Sequence, residues 1–208
     1  MAILIYYRGA NWRSGRLLII YYCVTFFLML AACGVLLNSF EQNVWLYNLT
    51  SVCTNLFIGV YFIGILRAPV KKKAVIILVS LNSLYALLKN VIFKEFYLFD
   101  SVGYSFVSAS ITVYVFMYFH QVLKNVTERS ILKQFDFWLS AGYLIYFLGS
   151  FIIFLSYYHY TKQILAAFTK ELQYLVNALW GVHNLLLFVS ALSLLIGSIW
   201  LTYRKKSV

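Results

Sequence analysis

Leu179 to Lys206 reads LWGVHNLLLFVSALSLLIGSIWLTYRKK. Trp180 and Trp200 stand 20 residues apart, about 30 Å of helix, which is the thickness of a bilayer's hydrocarbon core with an amphipathic ring at each interface. The basic Arg204, Lys205 and Lys206 follow at once, as they do where a membrane helix emerges on the side that retains positive charge. The stretch reads as a transmembrane helix over 180–203. Composition extends that reading to the whole chain: 63% of 208 residues are hydrophobic, 20% aromatic and 11% charged, against about half apolar and a quarter charged in soluble domains.

Uncharged runs cover Leu17–Phe40, Gln42–Leu66, Ser101–Leu123, Phe137–Thr161 and Leu172–Tyr203, each long enough to span. Another runs from Ala74 to Phe93 with Lys89 as its single charge. Pro69 in RAPVKKK, Arg67–Lys73, ends the second helix and opens the third. The expected fold is an all-α integral membrane protein, a six-transmembrane-helix bundle forming one domain, 1–208. Its helices fall at about 17–40, 44–66, 74–93, 101–123, 137–158 and 180–203. Between the last two, Ile164, Leu165, Phe168, Leu172 and Leu175 recur at helical steps, which predicts a short interfacial helix over 162–179.

Basic residues orient the bundle. Arg8, Arg13, Arg16, Arg67, Lys71, Lys72, Lys73, Lys124, Arg129, Lys133, Arg204, Lys205 and Lys206 fall on one side, and Lys89, Lys94, Lys162 and Lys170 on the other. Cytoplasmic loops keep Lys and Arg, so both termini are expected in the cytoplasm and the chain in the cytoplasmic (inner) membrane. This dispersed distribution accounts for the net charge of +11 and argues against nucleic acid as a partner. Membrane lipids are the expected partners, with Arg67, Lys71, Lys72 and Lys73 as the headgroup-binding cluster. Leu30-Ala31-Ala32-Cys33 resembles a lipoprotein processing site, but apolar sequence continues to Phe40, as a full span requires. Cys23, Cys33 and Cys53 have no metal or disulfide spacing and read as small apolar fillers.

Polar residues lie in stripes: Asn48, Ser51, Asn55 and Gly59 in the second helix; Asn82, Ser83, Ala86, Lys89 and Asn90 in the third; Ser105, Ser108 and Thr112 in the fourth. Gly142, Gly149 and Ser156 mark the fifth, and His183, Ser190, Ser193 and Gly197 the sixth. Most map to the outer half of the membrane. A polar group without a partner in hydrocarbon costs on the order of 2–7 kcal/mol, so these stripes converge, either as a hydrogen-bonded packing core or around a wetted vestibule. The vestibule reading takes Asn55, Asn82, Lys89, Asn90, Ser108, His183 and Asn184 as ligand-binding residues. Lys89 either snorkels to headgroups or turns inward toward an anionic ligand.

No metal site, cofactor or catalytic residue is expected. Glu41, Glu95, Asp100, Glu128, Asp136 and Glu171 sit in loops or at helix ends without helical pairing to one another, and no nucleophile elbow, zinc helix or phosphate loop occurs. DFWLSAGYLIYFLGSFIIF, Asp136–Phe154, and LWGVHNLLL, Leu179–Leu187, resemble the final helices of small bacterial multi-span membrane proteins of the sensor-module type, some encoded near sensor kinases. The resemblance implies a non-enzymatic sensing or partner-binding module whose signalling output passes through a protein partner in the membrane or at its cytoplasmic face. Two other readings stay open: a small channel or carrier serving transport through the same pocket, and a ligand-free accessory subunit.

Overall fold

The computed structural model describes residues 12–36, 43–93, 99–124, 131–166 and 170–206. Among them are six α-helices and no strand: α1 Trp12–Leu36, α2 Val44–Ile65, α3 Pro69–Leu87, α4 Ser101–Lys124, α5 Phe135–Ala166 and α6 Lys170–Lys206. Val44–Ile65, Ser101–Lys124, Phe135–Tyr160 and Lys170–Ile199 are long and apolar enough to cross a membrane. These four match the second, fourth, fifth and sixth expected spans. Arg16–Ala32 in α1 forms a shorter apolar helix, and α3 carries Lys71, Lys72 and Lys73 in its first turn, which lowers its apolar content.

The chain divides into two compact units, Met1–Gly103 and Tyr104–Val208. In the first, α2 packs against α1 and α3. The turn between α2 and α3 follows from Pro69. Proline disfavours helical backbone in the residue before it and suits the first helical position; Ala68 is extended, at φ −71° and ψ 127°, and α3 starts at Pro69. At its far end α3 widens into a π-turn, Leu88–Ile92, closed by the Phe93 N–H on the Leu88 carbonyl at 3.1 Å. Tyr21 and Thr54 join α1 to α2, hydroxyl to hydroxyl at 3.2 Å.

The second unit is built on the α5–α6 pairing. The two helices run antiparallel with small residues where they meet. A Cβ on Gly142 would lie 3.0 Å from the Ser190 carbonyl oxygen and 3.1 Å from Ser193 Cβ, one on Gly197 2.8 Å from Trp138 Cβ, and one on Gly149 against Leu186. The expected stripes of the fifth and sixth helices are thus two sides of one seam, where small side chains let backbones approach.

The expected separate interfacial helix over 162–179 does not form. Residues to Ala166 prolong α5, and α6 runs unbroken from Lys170 through Trp180 to Lys206; 167–169 lie outside the described residues. No Pro or Gly falls between Lys170 and Trp180, and extending a helix adds one hydrogen bond per residue whereas a new helix needs a new nucleus. At 32 and 37 residues, α5 and α6 reach about 48 and 56 Å, well beyond the hydrocarbon core.

Much of the molecule's surface is apolar. Phe26, Phe27, Leu84, Phe116, Ile152, Leu185 and Phe188 are each at least half exposed, an arrangement that suits side chains facing lipid. Cys23 belongs to this outward surface and is not an inner filler, while Cys53 is half-buried; the side chain of Cys33 lies outside the described residues.

Candidate functional site

Of the residues expected to bind a ligand, Asn55, Asn82, Lys89 and Asn90 belong to the first unit, and Ser108, His183 and Asn184 to the second. Asn55, 1% exposed, is the hub of an amide network between α2 and α3. Its Nδ2 donates to the Val79 carbonyl at 3.1 Å and to Ser83 Oγ at 3.2 Å, while its Oδ1 accepts from Asn82 Nδ2 at 3.2 Å. Gly59, one turn further along α2, sits beneath the Val79 side chain. An amide that bonds a backbone carbonyl and two side chains is fully occupied in holding two helices together.

Lys89 has a partner that neither expectation named. Its Nζ lies 2.7 Å from Asp100 Oδ1, with the two side chains 17% and 8% exposed. Lys89, in the π-turn and one turn beyond Tyr85, reaches the N-terminus of α4, where Asp100 precedes Ser101. There Oδ1 also accepts from the Gly103 N–H at 2.9 Å and from Tyr85 OH at 3.1 Å. The backbone N–H of Asp100 donates to Asn48 Oδ1 at 3.1 Å. One carboxylate thus caps α4 and neutralises the charge on Lys89, while the backbone N–H of the same residue meets α2, and Gly103 leaves room for the carboxylate: a Cβ there would collide with Asp100 Oδ2. Asn90, beside Lys89 and 8% exposed, keeps a buried Oδ1 without a hydrogen-bond partner.

Sequence reasoning missed Asp100 because it classed the acids by their place at helix ends. Two signals were available. Aspartate directly before a long apolar run is a helix-capping residue, and Asp100 falls between the apolar run that carries Lys89 and the next one.

In the second unit His183, 8% exposed, lies between hydroxyls of α5. Nε2 is 3.3 Å from Tyr146 OH and Nδ1 is 3.2 Å from Ser150 Oγ. The rings of Tyr146, Phe154 and Trp180 surround it at centroid distances of 5.2, 5.1 and 5.5 Å. Asn184, the next residue, is exposed and does not share these surroundings. Ser108 is buried, and its carbonyl accepts from Thr112 Oγ1 at 2.9 Å.

Other hydroxyls, on the stripes or beside them, satisfy themselves within their helices. Thr50 Oγ1 donates to the Leu46 carbonyl, Ser193 Oγ to Val189 and Ser198 Oγ to Leu194, the back-bonding that lets hydroxyls sit in a membrane helix without an outside partner. No group of three or more metal-ligating side chains occurs among the described residues. In the headgroup cluster, Arg67 and Lys73 are exposed and Lys71 and Lys72 half-buried around the first turn of α3.

Comparison with protein-family models, with curated proteins and with solved structures finds no match. The fold and the site define an all-helical protein with four helices able to cross a membrane, whose buried polar side chains are largely bonded to one another or to helix backbone.

Proposed function

We propose that the chain crosses the cytoplasmic membrane six times, with both termini in the cytoplasm, and acts as a non-enzymatic module that senses a condition outside the membrane and passes it to a protein partner. Thirteen of the 17 basic residues falling on one side support the orientation. Helix lengths support the two further crossings. α1 has 25 residues, and α3 with its π-turn continues to Ile92, leaving about 28 Å of helix beyond the lysines of its first turn. Arg67 and Lys71–Lys73 then meet anionic headgroups.

The observation that carries the sensing reading is the Lys89–Asp100 pair. Ionisable residues within membrane helices are costly, and desolvating a pair offsets most of its attraction, so such a pair is retained for specificity or switching more than for stability. This one ties the end of α3 to the start of α4 through a single carboxylate, on the outer side of the proposed topology, and the backbone N–H of the same aspartate bonds a side chain of α2. The resemblance of Asp136–Phe154 and Leu179–Leu187 to sensor-type membrane modules supports the same reading.

The test is photo-crosslinking from the cytoplasmic 67–73 loop in intact membranes, comparing the unaltered protein with Asp100→Asn. The reading expects one reproducible crosslinked protein whose yield changes severalfold in the variant. A yield indifferent to Asp100→Asn, or no crosslink above background, removes the reading.

A further inference from the structure

We infer that His183 and the side chains around it form a proton-sensitive latch between α5 and α6. The inference rests on the sensing reading only for what the latch reports; proton binding at His183 stands by itself.

The hydrogen bonds carry the first part of the argument. Both ring nitrogens of His183 face hydroxyls, Tyr146 OH at 3.3 Å and Ser150 Oγ at 3.2 Å. A neutral imidazole donates from one nitrogen and accepts at the other, whereas imidazolium donates from both. A hydroxyl can do either. The ring therefore keeps both partners in either charge state, which a histidine fixed between a carbonyl and an N–H cannot do. On protonation only the hydroxyl that had donated to the ring turns its O–H away, and a Ser150 O–H released in this way can bond its own helix backbone, as Ser193 and Ser198 already do on α6.

The surroundings supply the second part. From α5 the groups facing His183 are Tyr146, Ser150 and Phe154, and from its own helix Trp180. Tyr146 is the one titratable group among them. Among the described residues the acids of this unit, Asp136 and Glu171, occupy the first turns of α5 and α6, each roughly 20 Å along its helix from this contact. The rings lie within the ~6 Å at which aromatic groups attract a cation, yet neither of these carboxylates is near enough to neutralise one. A proton gained here thus keeps its hydrogen bonds and adds an uncompensated charge to an apolar seam. The charge loosens the seam without unfolding it.

The seam is tight where the change would be felt. Gly149 lies against Leu186, one turn from His183, and Gly142 against Ser190. From His183 α6 continues without interruption to Lys206, about 35 Å, so a shift at one end reaches the basic tail at the other.

The test uses the full chain in lipid nanodiscs with Trp180 as its one tryptophan, the other four replaced by Phe. An imidazolium at this distance quenches an excited indole, so acidification from about pH 8 to about pH 4 is expected to lower Trp180 emission roughly twofold in a single step. His183→Gln is expected to abolish the step. Spin labels at Tyr158→Cys and Tyr174→Cys, in a background without native cysteines, are expected to move apart over the same pH range, again not in His183→Gln. Constant emission, the same step in His183→Gln, or a step without a change in spacing overturns the latch. If His183→Gln does not fold, Tyr146→Phe with Ser150→Ala decides: an unmoved midpoint overturns it. Because emission reads proton binding at the ring and the crosslink reads the partner, failure of one is distinguishable from failure of the other.

Discussion

Lys89 Nζ and Asp100 Oδ1 are 2.7 Å apart, and that one oxygen also takes the Gly103 N–H and Tyr85 OH. The only charge in the third apolar run and an acid placed at a helix end are therefore two halves of one contact. Its consequences differ from those of a lysine that snorkels: removing either partner strands the other in poorly solvated surroundings.

Asp100→Asn keeps a residue able to cap α4 but leaves Lys89 without its counter-ion. Losing one member of a largely buried pair is expected to destabilise by on the order of 3 kcal/mol. Lys89→Met should do comparable harm, while the double variant should be less destabilised than the sum of the two by 1 kcal/mol or more, a rough coupling for side chains in contact. Thermal unfolding in mild detergent checks this; additive losses would show that the two side chains are independent.

Asn55→Leu should destabilise by about 1–3 kcal/mol, because Asn82, Ser83 and the Val79 carbonyl each lose a partner. The vestibule reading takes Asn55 as a ligand contact. The network makes it a clamp between α2 and α3. A melting temperature equal to that of the unaltered protein would return Asn55 to the ligand-binding reading.

Glycines of α5 and α6 should separate by position. A methyl at Gly197 meets Trp138 Cβ at 2.8 Å and one at Gly142 meets the Ser190 carbonyl at 3.0 Å, whereas Gly181 has nothing within 4 Å. Gly197→Ala and Gly142→Ala are expected to lose about 1–3 kcal/mol through overpacking. Gly181→Ala should be neutral or stabilising by up to about 1 kcal/mol. The ranking can be read from unfolding midpoints, and equal effects at all three would contradict the seam.

Helices were legible because an uncharged run of membrane length has few other ways to satisfy its backbone. The stripes were legible because helical periodicity places Gly142 and Gly149, or His183, Ser190 and Gly197, on one face. What faces each stripe was not: periodicity gives a direction on one helix and says nothing of its neighbour. The π-turn was hidden for a related reason, since Leu88–Ile92 has an unremarkable composition, and the Lys89–Asp100 contact was hidden because it joins two separate elements. At the start of α6, Trp180 and Trp200 mark a segment of membrane length within the longer apolar helix Lys170–Ile199 and its continuation. They wrongly implied that the helix should begin at Trp180, because nothing between Lys170 and Trp180 breaks a helix.

The central claim is that lipid is the solvent for these helices, crossed six times with the basic loops inside. Labelling of single-cysteine variants Lys71→Cys and Lys170→Cys by a membrane-impermeant thiol reagent on intact spheroplasts tests it most directly. The account predicts that position 170 reacts from outside and position 71 only after permeabilisation. Reversed accessibility, or labelling of both from outside, would contradict it.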